Sequence, residues 1–259
     1  MPSASGNLSP EHAEAPTQEY SLSQLILNSK FGWLVRFPLV FALTLYLKLK
    51  YWSKIGDYYR DHQKEFFKYQ ILEDGSDKFY SIRKKVAQYA YNGTSKNCLD
   101  VGTGHGFQAK ALQDMGIKQV VGIDLVQERI EYCKRTFATD RINFEVMDAT
   151  DLSYPDKFFD CSTVCAVLHD MPIVVRRKAI AEIARVTKNK IVIFEPRTLK
   201  NPIGAFIYGT LGALLDESLH FKDYVKDDLM KLLNENGLEV LDQEIVWHRI
   251  MSITVCRVR

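Results

Sequence analysis

Glycines occupy every second position in one short stretch of the chain. An apolar run ends at Asp100, and Gly102, Gly104 and Gly106 follow it. Glycines placed just after a strand let the backbone turn tightly and approach a ligand closely. This stretch therefore indicates a nucleotide-type cofactor site at the end of the first strand of an α/β sheet.

Two further acidic residues follow the next two apolar runs. Asp124 lies 20 residues after Gly104, where a carboxylate can accept hydrogen bonds from both hydroxyls of a ribose. Asp148 ends the third run and precedes Ala149, and its carboxylate could accept from an adenine amino group. The carboxyl ends of parallel strands form the ligand crevice of an open α/β sheet. Three acidic residues in register there predict a nucleoside site.

The alternation of apolar patterns along the chain predicts the strands and helices that position these residues. From about residue 96, strand-like runs alternate with segments of helical periodicity, which is typical of a parallel doubly wound sheet. The last two strands are joined by so short a link that they should pair antiparallel. The sequence predicts an α/β fold, a Rossmann-like doubly wound seven-stranded sheet with its last strand antiparallel. The predicted strands are 97–101, 119–123, 142–146, 158–165, 191–194, 238–247 and 250–258, and three of the predicted helices are 77–91, 172–187 and 225–236.

The first 76 residues differ in character from the rest. Residues 1–19 carry prolines, small residues and a charge of −3, which predicts a disordered tail. Residues 20–76 are predicted to form an apolar, aromatic helical extension, and its uncharged run 37–47 has 11 residues. A full membrane span needs about 20 residues, so we expect a helix lying on the membrane surface. A single span, a helix packed on the domain and an aromatic lid over the cofactor are the alternatives.

Composition excludes some classes of function. The net charge of +2 over 259 residues gives no global field that would attract nucleic acid. Five dispersed cysteines form no pair with metal-binding spacing, so we expect reduced thiols, an intracellular setting and no metal. Lysines that follow the apolar run 37–47 would place the catalytic domain on the cytoplasmic side of a membrane.

Residues 97–196 resemble the class I S-adenosylmethionine-dependent methyltransferases. Residues 99–106 match the first motif of that family, 121–124 the second and 147–149 the third. Residues 158–169 resemble the strand-4 segment of its ubiquinone/menaquinone-biosynthesis-like subgroup. The resemblance implies a methyltransferase domain over 77–259 that uses S-adenosyl-L-methionine. The cofactor contacts that it implies are Asp100, Gly102, Thr103, Gly104, Gly106, Asp124, Leu125, Asp148, Ala149 and Cys165.

Two other classes of protein are alternatives. A dinucleotide-dependent oxidoreductase would carry a third glycine where this chain has Phe107. The antiparallel final strands also suit a methyltransferase better. A catalytically inactive protein that binds the cofactor and docks a partner is the second alternative, and the intact glycine and acidic positions argue against it.

Methyl transfer is an in-line displacement, and a base is needed only when the acceptor is protonated and weakly nucleophilic. His169, just after the predicted fourth strand, is the candidate general base, because a histidine titrates near neutral pH. It could instead cap a helix or line the pocket. His105, Glu195 and His220 are further candidates for contacts to the cofactor or the acceptor.

The acceptor is constrained by what surrounds the core. The sequence after the fourth strand is Cys165-Ala166-Val167-Leu168, unlike the Asn-Pro-Pro-Tyr type of motif in nucleic-acid amino methyltransferases, so no nucleic-acid partner is expected. An insertion over about 197–222 is apolar, as is the N-terminal extension. These segments favour a small hydrophobic or lipid-like acceptor met at a membrane surface, with a soluble small molecule as the alternative.

Overall fold

The computed structural model of the protein describes residues 77–215, 218, 220–246 and 250–259. The predictions for the 1–19 tail and the 20–76 segment therefore lie outside the described residues. The described helices are α1 (Asp77–Ala90), α2 (Phe107–Asp114), α3 (Gln127–Phe137), α4 (Ile173–Val186), α5 (Pro202–Leu215), α6 (Phe221–Lys226) and α7 (Leu229–Glu235). The strands are β1 (Asn97–Val101), β2 (Gln119–Asp124), β3 (Ile142–Val146), β4 (Phe159–Cys165), β5 (Thr187–Pro196), β6 (Leu238–Val246) and β7 (Met251–Val258).

The strands form one seven-stranded sheet in the order β3-β2-β1-β4-β5-β7-β6. The pairs among β1 to β5 are parallel, whereas β7 runs antiparallel to both of its neighbours. The predicted doubly wound sheet with an antiparallel last strand is confirmed. Strand order reverses between β1 and β4, and ligands of such sheets bind at the carboxyl ends of the strands beside this reversal.

Both faces of the sheet are covered, which explains why its central strands are continuous apolar runs. Successive side chains of a strand point to opposite faces. In β1, Leu99 accordingly packs in one buried cluster with Ile180 and Ile183 of α4. Cys98 packs in the other cluster, with Leu112 of α2 and Ile130 of α3. The α/β sandwich thus holds the strand ends, and the acidic residues on them, at fixed spacing.

Two predicted boundaries are wrong. Strand β5 begins at Thr187 rather than at 191, and the Thr187 hydroxyl donates to the Ile183 carbonyl 2.6 Å away, so the strand directly follows α4. The single helix predicted over 225–236 is two helices, because the Asp228 side chain accepts from the Lys231 amide and starts α7 anew. The predicted insertion holds α5 and the start of α6.

Within the ranges that the structure describes, no helix combines the length and the apolar content needed to cross a bilayer. All five cysteines are free thiols.

Candidate functional site

The glycine loop after β1 adopts a conformation that favours glycine at all three positions. The φ angles of Gly102, Gly104 and Gly106 are 63°, 56° and 80°. A Cβ on Gly102 would lie 2.3 Å from a methyl of Val167, so this glycine lets the loop pack against the turn after β4. A Cβ on Gly104 would meet no atom closer than 4.0 Å. The backbone of Gly104 therefore faces open space that a ligand can fill.

Asp100 lies beneath this loop rather than on its open side. Its carboxylate is fully buried and accepts hydrogen bonds from the hydroxyls of Thr103 at 2.6 Å and Thr163 at 2.8 Å. Burial raises the pKa of Asp100 to about 6, although both hydroxyls oppose the rise. The structure thus places Asp100 and Thr103 together as internal supports of the loop.

The raised pKa of Asp100 predicts a specific pH dependence of stability. The folded protein binds a proton at Asp100 more tightly than the unfolded chain, whose carboxyl has an ordinary pKa near 3.8. The contribution of Asp100 to the free energy of unfolding should therefore fall as pH rises from about 4 to about 6, by roughly 2–3 kcal/mol in total. Urea unfolding of wild type and Asp100→Asn across this range measures the contribution. If the free energy of unfolding depended on pH in the same way in the two proteins, the raised pKa of Asp100 would be contradicted.

Asp124, at the end of β2, ties the glycine loop to the start of α3. Its Oδ2 accepts from the Gly104 amide and its Oδ1 from the Val126 amide, both at 3.0 Å. The Arg129 guanidinium lies 3.5 Å from Oδ2. A carboxylate has about four acceptor positions, so two amides leave capacity for a ligand. The neighbouring Leu125 side chain is 69% exposed at the rim of the crevice.

Asp148 and Ala149 follow β3, the next strand outward. The Asp148 Oδ1 accepts from both the amide and the hydroxyl of Thr150 at 2.8 Å, which fixes a tight turn. The Met147 amide donates to the Asp124 carbonyl at 3.0 Å and joins the ends of β2 and β3. The exposed Asp148 carboxylate therefore stands one strand away from Asp124, in the register that the sequence predicts.

The end of β4 forms the other side of the strand-order reversal. Cys165 is half-buried, and burial raises the pKa of its thiol well above the ordinary value, so it remains protonated. Ala166 has a φ angle of 56°, which side chains rarely adopt, and its amide donates to the Phe194 carbonyl at 2.8 Å. Such strained backbone is concentrated at ligand sites.

The strain at Ala166 can be measured. Glycine reaches a positive φ without the steric cost that alanine bears, so Ala166→Gly should raise the free energy of unfolding by about 0.5–1 kcal/mol. The matched control is Ala181→Gly, at an exposed position inside α4, which should lower it by about 1 kcal/mol. Urea denaturation compares both variants with wild type. A loss of stability at both positions would show that Ala166 is unstrained.

Glu195, at the end of β5, organises the turn after β4. It is 1% exposed, and its Oε1 accepts from the amides of Val167 at 2.6 Å and Leu168 at 2.7 Å. Its Oε2 lies 2.7 Å from Nδ1 of His169. Because a carboxylate only accepts hydrogen bonds, Nδ1 carries the proton and Nε2 is the nitrogen that can accept one. The structure therefore brings His169 and Glu195 together as an oriented pair.

Residues of α6 and of the segment just before it pack over this pair. The rings of Phe221 and Tyr224 each lie 6.1 Å from the His169 ring. The Ser218 hydroxyl donates to the His169 carbonyl at 2.8 Å and accepts from the His220 amide at 3.0 Å. His220 thus lies near the pair, and burial lowers its pKa. His105, by contrast, lies in the glycine loop, edge-on to Tyr132.

Arg176 is a site-organising residue that the sequence reasoning missed. It is 1% exposed, and it donates from Nε to the Leu168 carbonyl and from Nη2 to the Met171 carbonyl, both at 2.8 Å. It also pairs with Asp227 and lies over the Tyr224 ring. Arg176 joins the turn that carries His169 to the α6–α7 junction. The sequence signal for this role is an arginine one turn after the apolar start of α4.

Comparisons with known proteins agree with this geometry. The family described as "Methyltransferase domain" matches residues 99–194. A demethylmenaquinone methyltransferase of Clavibacter sepedonicus is 32% identical over 136 residues, covering 51% of this chain and 54% of that protein. A 27-O-demethylrifamycin SV methyltransferase of Amycolatopsis mediterranei (strain S699) is 33% identical over 78 residues, 29% of each chain. The chain thus spans about half or less of the length of these curated relatives.

Solved structures share the fold. A SAM-dependent methyltransferase from Aquifex aeolicus superposes with a TM-score of 0.53 at 19% identity, over 68% of this chain and 89% of that one. The family match over residues 99–194, the relatives named as methyltransferases and the glycine loop agree with the predicted resemblance to the class I S-adenosylmethionine-dependent methyltransferases. The family match supports S-adenosyl-L-methionine as the cofactor. The predicted resemblance and the predicted cofactor are confirmed.

The residues present fit this cofactor. The open side of Gly104 leaves room where a side chain would otherwise stand. The buried Asp124 carboxylate, beside that opening, has acceptor capacity for two hydroxyls. Asp148 follows β3, the strand next to β2, and so stands one strand further out than Asp124 along the same sheet edge.

Proposed function

We propose that the protein transfers a methyl group from S-adenosyl-L-methionine to a small hydrophobic or lipid-like acceptor at a membrane surface. The proposal rests on one hydrogen bond. The Gly104 amide donates to the Asp124 carboxylate at 3.0 Å, beside the open side of the glycine loop. When bound, the cofactor supplies an electrophilic methyl group on a sulfonium. The task of the chain is then to bind, orient and shield the two reactants.

Each residue at the strand ends has a proposed part in binding. The glycine loop would hold the amino-acid end of the cofactor at the open backbone of Gly104, with Gly102 and Gly106 shaping the loop, and Asp124 would accept from the ribose hydroxyls. Asp148 and Ala149 contact the adenine. The remaining predicted contacts act at the edges of this site: Leu125 and Cys165 line its rim, and Asp100 holds Thr103 and the loop in place from below.

We assign His169 the role of general base for an acceptor that reacts through a hydroxyl. The Glu195 carboxylate at 2.7 Å from Nδ1 fixes the ring, and Nε2, which lies 3.8 Å from the Asp170 carboxylate, is the nitrogen assigned to take the proton from the acceptor. Glu195 itself is a positioning residue, because it is sealed from solvent and acts through the histidine. Phe221 and Tyr224 exclude water from the imidazole.

The acceptor class is supported by two observations. The names of the relatives specify a demethylated menaquinone and a demethylated rifamycin, which are small organic molecules. The described chain also presents an uncharged helix, α5, next to the layer that covers His169. A soluble small molecule is the alternative acceptor, and an inactive cofactor-binding protein is the alternative function.

The test follows the methyl group. The full chain is incubated with S-adenosylmethionine labelled at the methyl and with a cell extract, and label is counted after extraction into organic and aqueous phases. We expect enzyme-dependent label in the organic phase, and none with Asp124→Ala. Label in the aqueous phase would favour the soluble acceptor. Cofactor binding without transfer to any fraction would favour the inactive protein.

A further inference from the structure

Helix α5 carries no charged residue in its 14 positions and leaves part of its apolar surface uncovered. Ile203, Phe206 and Ile207 are 72%, 58% and 52% exposed. Residues three and four positions apart lie on one face of a helix. These three residues, the α5 outer face, therefore form a continuous apolar surface rather than scattered contacts. Exposed apolar patches of this kind mark interaction sites.

The opposite side of α5 packs toward the candidate site. Ala205 is buried in the main core cluster, and the Tyr208 ring lies 5.6 Å from the Phe221 ring. Phe221 in turn packs edge-on against His169. A Cβ on Gly209 would lie 3.6 Å from the backbone of Lys222, so α5 and α6 approach closely there. The α5 outer face is thus the exterior of the layer that covers His169.

Positive charges border this face. Lys200 is exposed two residues before α5, and Lys226 is exposed at the end of α6. The Lys222 ammonium lies 5.6 Å from the centroid of the Phe206 ring. The acidic groups described nearby are the exposed Asp223 and Asp228 and the half-buried Asp227, which is paired with Arg176. Lys200 and Lys222 therefore place positive charge directly beside this face.

We propose that the α5 outer face docks on an anionic lipid bilayer. Its three apolar side chains would enter the boundary between headgroups and acyl chains, while Lys200 and Lys222 reach the lipid phosphates. This inference rests on the proposed function, since it names the surface on which that function operates. Docking would place the layer over His169 against the membrane, so a hydrophobic acceptor could reach the site without crossing water.

Sedimentation of the full chain with vesicles tests the proposal. We expect binding to phosphatidylglycerol-containing vesicles that weakens at high salt, and weaker binding to phosphatidylcholine alone. The triple variant Ile203→Ser, Phe206→Ser and Ile207→Ser should bind at least about tenfold more weakly, because it loses the apolar contribution. The control Leu241→Ser with Ile245→Ser, on exposed positions of β6, should bind as wild type does.

The outcomes separate this inference from the proposed function. Unchanged vesicle binding by the triple variant overturns docking through α5. A wild-type dimer that becomes monomeric in the triple variant during sedimentation velocity assigns the face to a second copy and also overturns it. Calorimetry with S-adenosylmethionine is run on the same proteins. If the triple variant and wild type bind the cofactor equally, the proposed function stands whether or not the variant binds vesicles. If wild type does not bind the cofactor, the proposed function is wrong, and the vesicle result still decides the docking proposal.

Discussion

Replacing Asp124 with alanine is expected to weaken binding of S-adenosylmethionine by about 100-fold or more, since two charge-assisted hydrogen bonds are each worth about 1.5–3 kcal/mol. The carboxylate holds the amides of Gly104 and Val126 and faces the proposed ribose position. Its loss both frees the glycine loop and removes the acceptor of the ribose hydroxyls. Isothermal titration calorimetry measures the change in dissociation constant.

The matched control for Asp124 is Asp140→Ala. Asp140 is an exposed carboxylate beside the amino end of β3, at the opposite edge of the sheet from the crevice. Its removal changes the net charge by the same amount and should leave the dissociation constant unchanged. Equal cofactor affinity in Asp124→Ala and Asp140→Ala would show that the end of β2 is not the ribose site.

Replacing Glu195 with alanine is expected to lower the free energy of unfolding by about 3–5 kcal/mol, the range found when one partner of a buried charged network is removed. The carboxylate is the common acceptor of two backbone amides and of His169. Without it, both amides of the turn after β4 lose their partner in a water-excluded environment. Urea denaturation followed by fluorescence or circular dichroism measures the loss.

Two variants sharpen this prediction. Glu195→Gln keeps an oxygen for both amides, so it should cost only about 1–2 kcal/mol, while it forces His169 into the other tautomer. If His169 is the general base, Glu195→Gln should also change the pH profile of turnover. The control Glu244→Ala breaks a half-exposed pair with Lys85 and should cost no more than about 1 kcal/mol. Equal losses in Glu195→Ala and Glu244→Ala would refute the role of Glu195.

The sheet and the cofactor site could be predicted because their signals are local in sequence. The apolar runs of β1 to β4 and the helical periodicity between them define the parallel order of the elements. The glycines come directly after the apolar run of β1, and the acidic residues come directly at the ends of the runs of β2 and β3. Their positions in the sheet, one strand apart, then follow from topology alone.

The organisation around His169 could not be predicted in the same way. Glu195 lies 26 residues from His169, and Arg176 lies 51 residues from Asp227. No periodic pattern connects such positions, because their contact depends on how β4, β5 and α6 pack. From its position after a strand, Glu195 is predicted to be a possible substrate contact, whereas in the structure it is buried and holds two backbone amides. The start of α7 was missed because Asp228 lies in the charged run 226–228, where a helix cap cannot be told from the polar face of a longer helix by sequence alone.

Calorimetric titration of the full wild-type chain with S-adenosylmethionine tests the central claim most directly. We expect saturable binding at one site per chain, competed by S-adenosylhomocysteine, which carries the same amino-acid and nucleoside ends. The heat should disappear in Asp124→Ala and persist in Asp140→Ala. Absence of saturable heat from the folded wild-type protein would contradict the assignment of the glycine loop and the β2 carboxylate as the cofactor site.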